Sequence, residues 1–210
     1  QTLSGTVLYP LLSRIARTSP SLLQIKLGEA RDILLSLGVF CTAGVVLEAP
    51  TFFTLLYDAR YAAAGTIAQW LAVGVWVSII SNTLERALQA LGDTRSLASY
   101  NLAKLVVGVA AGLAGFTTFG LPGFILGYAA GAVCGHLVLL RCLAGHGISA
   151  WHEDVRISAL AALVVVLGLS TASTAAAYGP IVREAAVWSY LACLGLWAAS
   201  QAKRLRNLQT

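Results

Sequence analysis

From residue 33 onward the chain is a succession of apolar runs about 20 residues long, each closed by a short stretch of glycine, proline or charge. The runs cover residues 33–57, 63–89, 98–116, 121–140, 157–178 and 181–200. At ~1.5 Å per helical residue each spans ~30 Å, the hydrocarbon thickness of a bilayer. The separators are Asp58-Ala59-Arg60-Tyr61, Gly92-Asp93-Thr94-Arg95, Gly120-Leu121-Pro122-Gly123 and Gly179-Pro180, all turn-forming or charged. This pattern predicts an all-α polytopic membrane protein with six transmembrane helices. Residues 1–12 read as the end of a seventh, cut by the start of the chain.

Composition excludes the soluble alternatives. Apolar residues are 58% of the 210, charged residues only 11%, and the mean hydropathy is +0.77. Soluble domains carry about 25% charge. So few charges cannot cover a water-facing surface, which argues against a cytoplasmic globular enzyme, a disordered chain and a secreted disulfide scaffold. Cys41, Cys134 and Cys193 lie within apolar runs, where cysteine packs as a small hydrophobe, and no C-x-x-C pair or zinc spacing occurs. No metal site, cofactor or disulfide is expected.

The formal charge of +5 invites a nucleic-acid partner, but the basic residues form no stripe with interleaved aromatics. They report topology instead. Alternate gaps carry Arg14, Arg17, Lys26 and Arg31, then Arg86, Arg95 and Lys104, then Arg141 and Arg156, then Lys203, Arg204 and Arg206. The intervening gaps carry only Arg60 and Arg183. Twelve against two of the fourteen Lys and Arg is a positive-inside pattern and predicts a cytoplasmic C-terminus. The expected organisation is a truncated helix end and cytoplasmic loop over 1–32, a four-helix core over 33–142, a cytoplasmic loop over 143–156, two further helices over 157–200 and a cytoplasmic tail over 201–210. No methionine occurs anywhere, and Gln1 opens into apolar sequence with no charged leader. The expectation is a C-terminal part of a longer protein.

Within the spans a few residues stand out. Gly123, Gly127, Gly131 and Gly135 recur every four residues, with Gly108 and Gly112 at the same spacing in the preceding run. A face of hydrogens lets a neighbouring helix approach closely; the readings are ordinary tight packing, which is favoured, and a moving seam. Ser78, Asn82, Glu85 and Gln89 share one helix face beside Arg86, either as a cavity wall or as groups near the headgroups. Glu48 lies ten residues before Asp58, so ~15 Å deep, two residues before Pro50, which frees the carbonyl of Val46. A carboxyl at that depth is either a coupling or substrate group or a structural link between helices. His136, beside Gly135, reads as a hydrogen-bonded packing histidine ahead of a proton relay. No Ser/His/Asp or Cys/His arrangement is evident, and His146, His152, Glu153 and Asp154 read as a solvated loop.

Three segments resemble a known family. Leu55-Leu56-Tyr57-Asp58-Ala59-Arg60-Tyr61-Ala62-Ala63-Ala64-Gly65 is similar to the "LLYD-x-RY-x-x-A-G" junction of bacterial polysaccharide-export flippases, in the multidrug/oligosaccharidyl-lipid/polysaccharide exporter superfamily. Leu88-Gln89-Ala90-Leu91-Gly92-Asp93-Thr94-Arg95 resembles their "L-x-A-L-G-D/N-x-R" helix end. Leu8-Tyr9-Pro10-Leu11-Leu12-Ser13-Arg14 resembles their "P-x-x-S-R" helix end. The match covers residues 8–141, in order and spacing. The resemblance implies the C-terminal bundle of a two-bundle transporter, with an N-terminal helical bundle of the same chain as its partner. It implies alternating-access movement of undecaprenyl-diphosphate-linked oligosaccharide between leaflets. It implies no catalytic role. The chemically sensible diphosphate or sugar partners are Arg60, Arg86, Glu85, Asn82 and Arg31, with Arg31 at the cytoplasmic mouth; for Arg60 the alternative is a helix-end anchor paired with Asp58. The competing functions are a cation-coupled multidrug exporter, with Glu48 as the coupling carboxylate, and a membrane enzyme of polysaccharide assembly.

Overall fold

The computed structural model describes residues 20–206. It is all helical: α1 (Pro20–Leu56), a 3-10 turn (Ala59–Tyr61), α2 (Ala62–Leu91), α3 (Thr94–Gly145), α4 (Trp151–Ala176) and α5 (Pro180–Arg206). Among the described residues five helices are long and apolar enough to cross a membrane, which makes this a multi-pass membrane protein by length and composition. The expected helix end over residues 1–12 lies outside the described residues.

The third of these helices, of 52 residues, holds the two runs 98–116 and 121–140. It is continuous in hydrogen bonding except at Gly120, whose φ of 66° and ψ of −145° are not helical. That backbone suits glycine, and Pro122 follows as a residue that tolerates the first turn of a helix. The chain reverses there. A methyl at Gly112 would meet the Phe124 ring at 3.3 Å, one at Gly131 the Lys104 carbonyl at 2.7 Å, and one at Gly135 the Tyr100 ring at 3.2 Å. Contacts that run in opposite order along the two arms define an antiparallel hairpin, residues 94–119 against 121–145. The glycine ridge is therefore the inner seam of that hairpin.

Two boundaries differ from the sequence reading. The loop expected up to residue 32 is helical from Pro20, because proline at a helix start leads into thirteen residues with no glycine except Gly28 and no further proline. The loop expected over 143–156 shrinks to 146–150, because α3 continues to Gly145 and α4 begins at Trp151 with Glu153 and Asp154 in its first turn. Acidic groups there complement the amino end of the helix, so a polar stretch that resembles a loop is a helix start.

The described chain forms two compact units, residues 20–34 with 73–154, and residues 35–72 with 155–206. The first is centred on Leu27, Leu84, Leu88, Tyr100, Leu139 and Leu143. The second is centred on Leu47, Ala172, Val187 and Leu191, with Phe40 and Tyr190 packed alongside.

Candidate functional site

Each unit contains a polar cluster set among apolar side chains. In the first unit Arg31 of α1 is only 1% exposed. Its Nη1 donates to Thr83 Oγ1 at 2.8 Å, and its Nη2 pairs with Asp154 Oδ1. Its Nε lies 3.8 Å from Glu153 Oε2. Asp154, itself 4% exposed, turns its second oxygen to His136 Nε2 at 3.2 Å. His136 Nδ1 lies 3.0 Å from Ser81 Oγ, and that hydroxyl is also 2.8 Å from the carbonyl of Val77. The Tyr100 hydroxyl hydrogen bonds to Ser81 from the first arm of α3. One polar chain thus joins α1, α2, both arms of α3 and the start of α4. A buried cation is tolerated only when paired and hydrogen-bonded, and Arg31 meets that condition.

These contacts correct three expectations. Arg31 does not stand at a solvent-facing mouth; it is the buried centre of the cluster. Asp154 is not part of a solvated loop, since the first turn of α4 turns it inward. A Ser/His/Asp chain does exist, from Ser81 through His136 to Asp154, made of residues 55 and 18 positions apart whose approach depends on helix packing alone. The one local signal was a histidine within an apolar run, since such a group must find partners.

The hairpin is tied at its open end by Asp93. Its Oδ1 accepts from the Ser96 backbone N–H at 3.0 Å and caps α3. Its Oδ2 meets the Ser96 hydroxyl at 2.6 Å and His146 Nε2 at 2.8 Å. The Ser96 hydroxyl first, and then His146, hold the Asp93 carboxyl well below the usual carboxylate range. His146 is thus paired across the two ends of α3.

On the stripe of α2, Gln89 links its neighbours. Arg86 Nη1 donates to Gln89 Oε1 at 2.7 Å, and Gln89 Nε2 donates to Glu85 Oε1 at 3.2 Å. Arg86 Nε is buried with no acceptor. Asn82 is half-buried on the same helix. Gln89 also borders a cavity of about 220 Å³ with Gly92, Asp93, Thr94 and Leu97. A separate apolar groove of about 520 Å³ on the hairpin is lined by Leu105, Val109, Leu113 and Phe124, with Asn101, Lys104 and Tyr128 as its polar members. None of the candidate substrate or coupling residues lines it.

The second unit centres on the kink at Pro50. Proline removes the N–H that would serve the Val46 carbonyl, and Gln69 Nε2 of α2 replaces it at 2.5 Å. Gly65 makes this approach possible, because a methyl there would lie 2.7 Å from the Pro50 Cα. Arg183 of α5 donates to Thr51 Oγ1 at 2.8 Å and to the Leu47 carbonyl at 3.3 Å, and pairs with Glu184. Glu48 shares a side-chain hydrogen bond with Glu184, while its Oε1 is buried without a partner. Arg60 sits apart: its side chain is 85% exposed and pairs with Asp58 at 3.2 Å, the geometry of a helix-end anchor. Phe52, Phe53, Tyr57 and Tyr61 stack near this junction, with ring centroids 5.4–6.4 Å apart, the kind of aromatic group that sits at membrane interfaces.

Of the residues selected from sequence, Glu85 and Arg86 are brought together through Gln89, and Glu48 is placed with Arg183 and Glu184. Arg31 belongs to a different cluster, and Arg60 to none beyond Asp58. No family model, curated protein or solved structure matches the chain.

Proposed function

We propose that the chain is the C-terminal bundle of a bacterial plasma-membrane translocator for lipid-linked oligosaccharides, with six membrane crossings and a cytoplasmic C-terminus. The crossing count follows if each arm of the α3 hairpin passes through the bilayer once. The reading draws on the three sequence junctions. It is supported by where two of them fall: Asp58-Ala59-Arg60-Tyr61 forms the turn between α1 and α2, and Gly92-Asp93 the turn between α2 and α3.

The observation that carries it furthest is Arg86. It lies on an otherwise apolar helix, on a stripe with Asn82, Glu85 and Gln89, and keeps a buried Nε donor without an acceptor. A diphosphate is the anion such a donor suits. A charged, hydroxyl-rich headgroup cannot enter hydrocarbon unaided, so a translocator must offer it polar side chains. The Nε of Arg31 also lacks an acceptor, but Arg31 is 1% exposed and paired with Asp154, whereas Arg86 is only half-buried, so Arg86 is the better phosphate partner and Arg31 a structural one. Deleting the gene and complementing with the Arg86→Gln full-length form tests this. The expected result is loss of surface polysaccharide, with undecaprenyl-linked precursor held on the cytoplasmic leaflet, in the deletion and the variant alike. Normal polymer and precursor in the deletion strain would refute the reading.

A cation-coupled exporter is the second reading, and Glu48 with Glu184 favours it. Glu48 lies within a span and its Oε1 is buried without a partner, as suits a carboxyl that takes up a coupling cation. Drug efflux that collapses with the proton gradient and with Glu48→Gln would support that reading over the first.

A further inference from the structure

The cluster around His136 has a property that packing alone does not require: it offers the imidazole Nδ1 a partner in two protonation states. The Ser81 hydroxyl has two acceptors within reach, His136 Nδ1 at 3.0 Å and the Val77 carbonyl at 2.8 Å. With a neutral ring, Ser81 donates to Nδ1 and the ring keeps its N–H at Nε2, which lies 3.2 Å from Asp154 Oδ2. With a charged ring, Nδ1–H donates to Ser81 Oγ, and the hydroxyl swings to Val77, which tolerates a second donor. The Ser81–Nδ1 hydrogen bond survives in either state.

We propose that His136 Nδ1 is a proton-binding site, with Ser81 as the rotor that accommodates the proton and Asp154 as the fixed counter-ion. On uptake hydronium gives up a proton to the Nδ1 lone pair: its O–H bond breaks, the N–H bond forms and water is left, while no covalent bond of the protein breaks and the Ser81 O–H only turns. The proton makes the ring an imidazolium beside the Asp154 carboxylate.

The surroundings fit. From α1 the facing charge is Arg31, on Asp154 Oδ1, with Glu153 3.8 Å from its Nε. Asp32 also acts on Arg31. From α2 the neighbours are Ser81 and Thr83, both 2% exposed. From the first arm of α3 come Tyr100, 1% exposed and bonded to Ser81, and Lys104, whose Nζ lies 5.9 Å from the Tyr100 ring centre. Glu85 acts on Tyr100. Counting Arg31, Asp154 and Glu153, the cluster carries one net negative charge with a neutral ring, and is neutral with a charged one. Asp154 Oδ2 is buried and accepts no hydrogen bond, so it has room for a stronger tie to a charged ring 3.2 Å away. Lys104 lines the hairpin groove and lies over the Tyr100 ring. Ser81 is too enclosed to act as a nucleophile on an acyl substrate, which leaves a proton as the ligand this Ser/His/Asp chain can take. The site is independent of what the protein carries.

The test is ¹⁵N imidazole spectroscopy of the histidine-labelled full-length protein in lipid nanodiscs, with His136→Gln to assign the signal. The expected result is a single titration, with a neutral form protonated at Nε2 and a charged form protonated at both nitrogens. Ser81→Ala removes the acceptor of the charged form as well as the weaker donor bond to the neutral one. It is expected to weaken proton binding about five-fold, the gap between a charged and a neutral hydrogen bond. A neutral form protonated at Nδ1, a ring that does not titrate, or an unchanged titration in Ser81→Ala would each overturn the proposal. The wild-type tautomer decides the matter even if the variant fails to fold.

Discussion

Arg31 and Asp154, 123 positions apart, form an ion pair in which the two side chains are 1% and 5% exposed. Each is the other's main compensation for leaving water, and each has a further partner, Thr83 for the guanidinium and His136 for the carboxylate. Burying an unpaired charge costs far more than a buried pair contributes. Arg31→Met or Asp154→Leu alone should therefore destabilise the protein by about 3–5 kcal/mol, while the double variant recovers most of the loss. Thermal unfolding in detergent micelles reads this; equal and additive losses would show that the two do not act as a pair.

The α3 hairpin makes a position-dependent prediction. At Gly131 a methyl would meet the Lys104 carbonyl at 2.7 Å, and backbone cannot yield without opening the arms. At Gly112 it would meet the edge of the Phe124 ring at 3.3 Å, and Phe124 is exposed enough to turn away. Gly131→Ala should cost about 1–3 kcal/mol and Gly112→Ala much less. Equal effects in a thermal-shift assay would mean that the arms are not held backbone to backbone.

This hairpin was largely legible in the sequence. A four-residue glycine ridge followed a Gly-Leu-Pro-Gly break, and both are local signals. Pro50 was legible for the same reason, since a proline names the carbonyl it orphans; its rescuer, Gln69, was not. The Arg31–Asp154–His136–Ser81 chain was hidden because each link joins distant segments. Asp154 in particular stands in a polar stretch, Trp151-His152-Glu153-Asp154, whose composition suits a loop and a helix start equally. For Arg60 the geometry matches the anchor alternative, because Asp58 is two residues away and both are exposed.

Gln69 and Pro50 should be coupled. Gln69→Leu leaves the Val46 carbonyl without its side-chain donor and is expected to cost about 1–3 kcal/mol. Pro50→Ala restores a backbone N–H four residues after Val46, so Gln69→Leu should be nearly harmless in that background. A double-mutant cycle measures the coupling, and additivity would refute the exchange of donors.

Asp93 gives a pH dependence of defined sign. Its carboxyl is held well below the usual range in the folded protein, first by the Ser96 hydroxyl and then by His146. Its contribution is present above the unfolded carboxylate value of ~3.9 and is lost as the pH falls through the folded value. Asp93→Ala should therefore lower Tm at neutral pH, with the gap from the wild type narrowing only under strong acid. A gap that stayed constant into acid would contradict the cap.

The central claim, that this chain belongs to a translocator of lipid-linked oligosaccharide, is tested most directly in proteoliposomes. The purified full-length protein is reconstituted with a polyprenyl-diphosphate oligosaccharide confined to one leaflet, and a glycosidase added outside reports arrival at the other. The account predicts protein-dependent cleavage of substrate that began inside, abolished by Arg86→Gln. Cleavage no faster than in protein-free vesicles would contradict it.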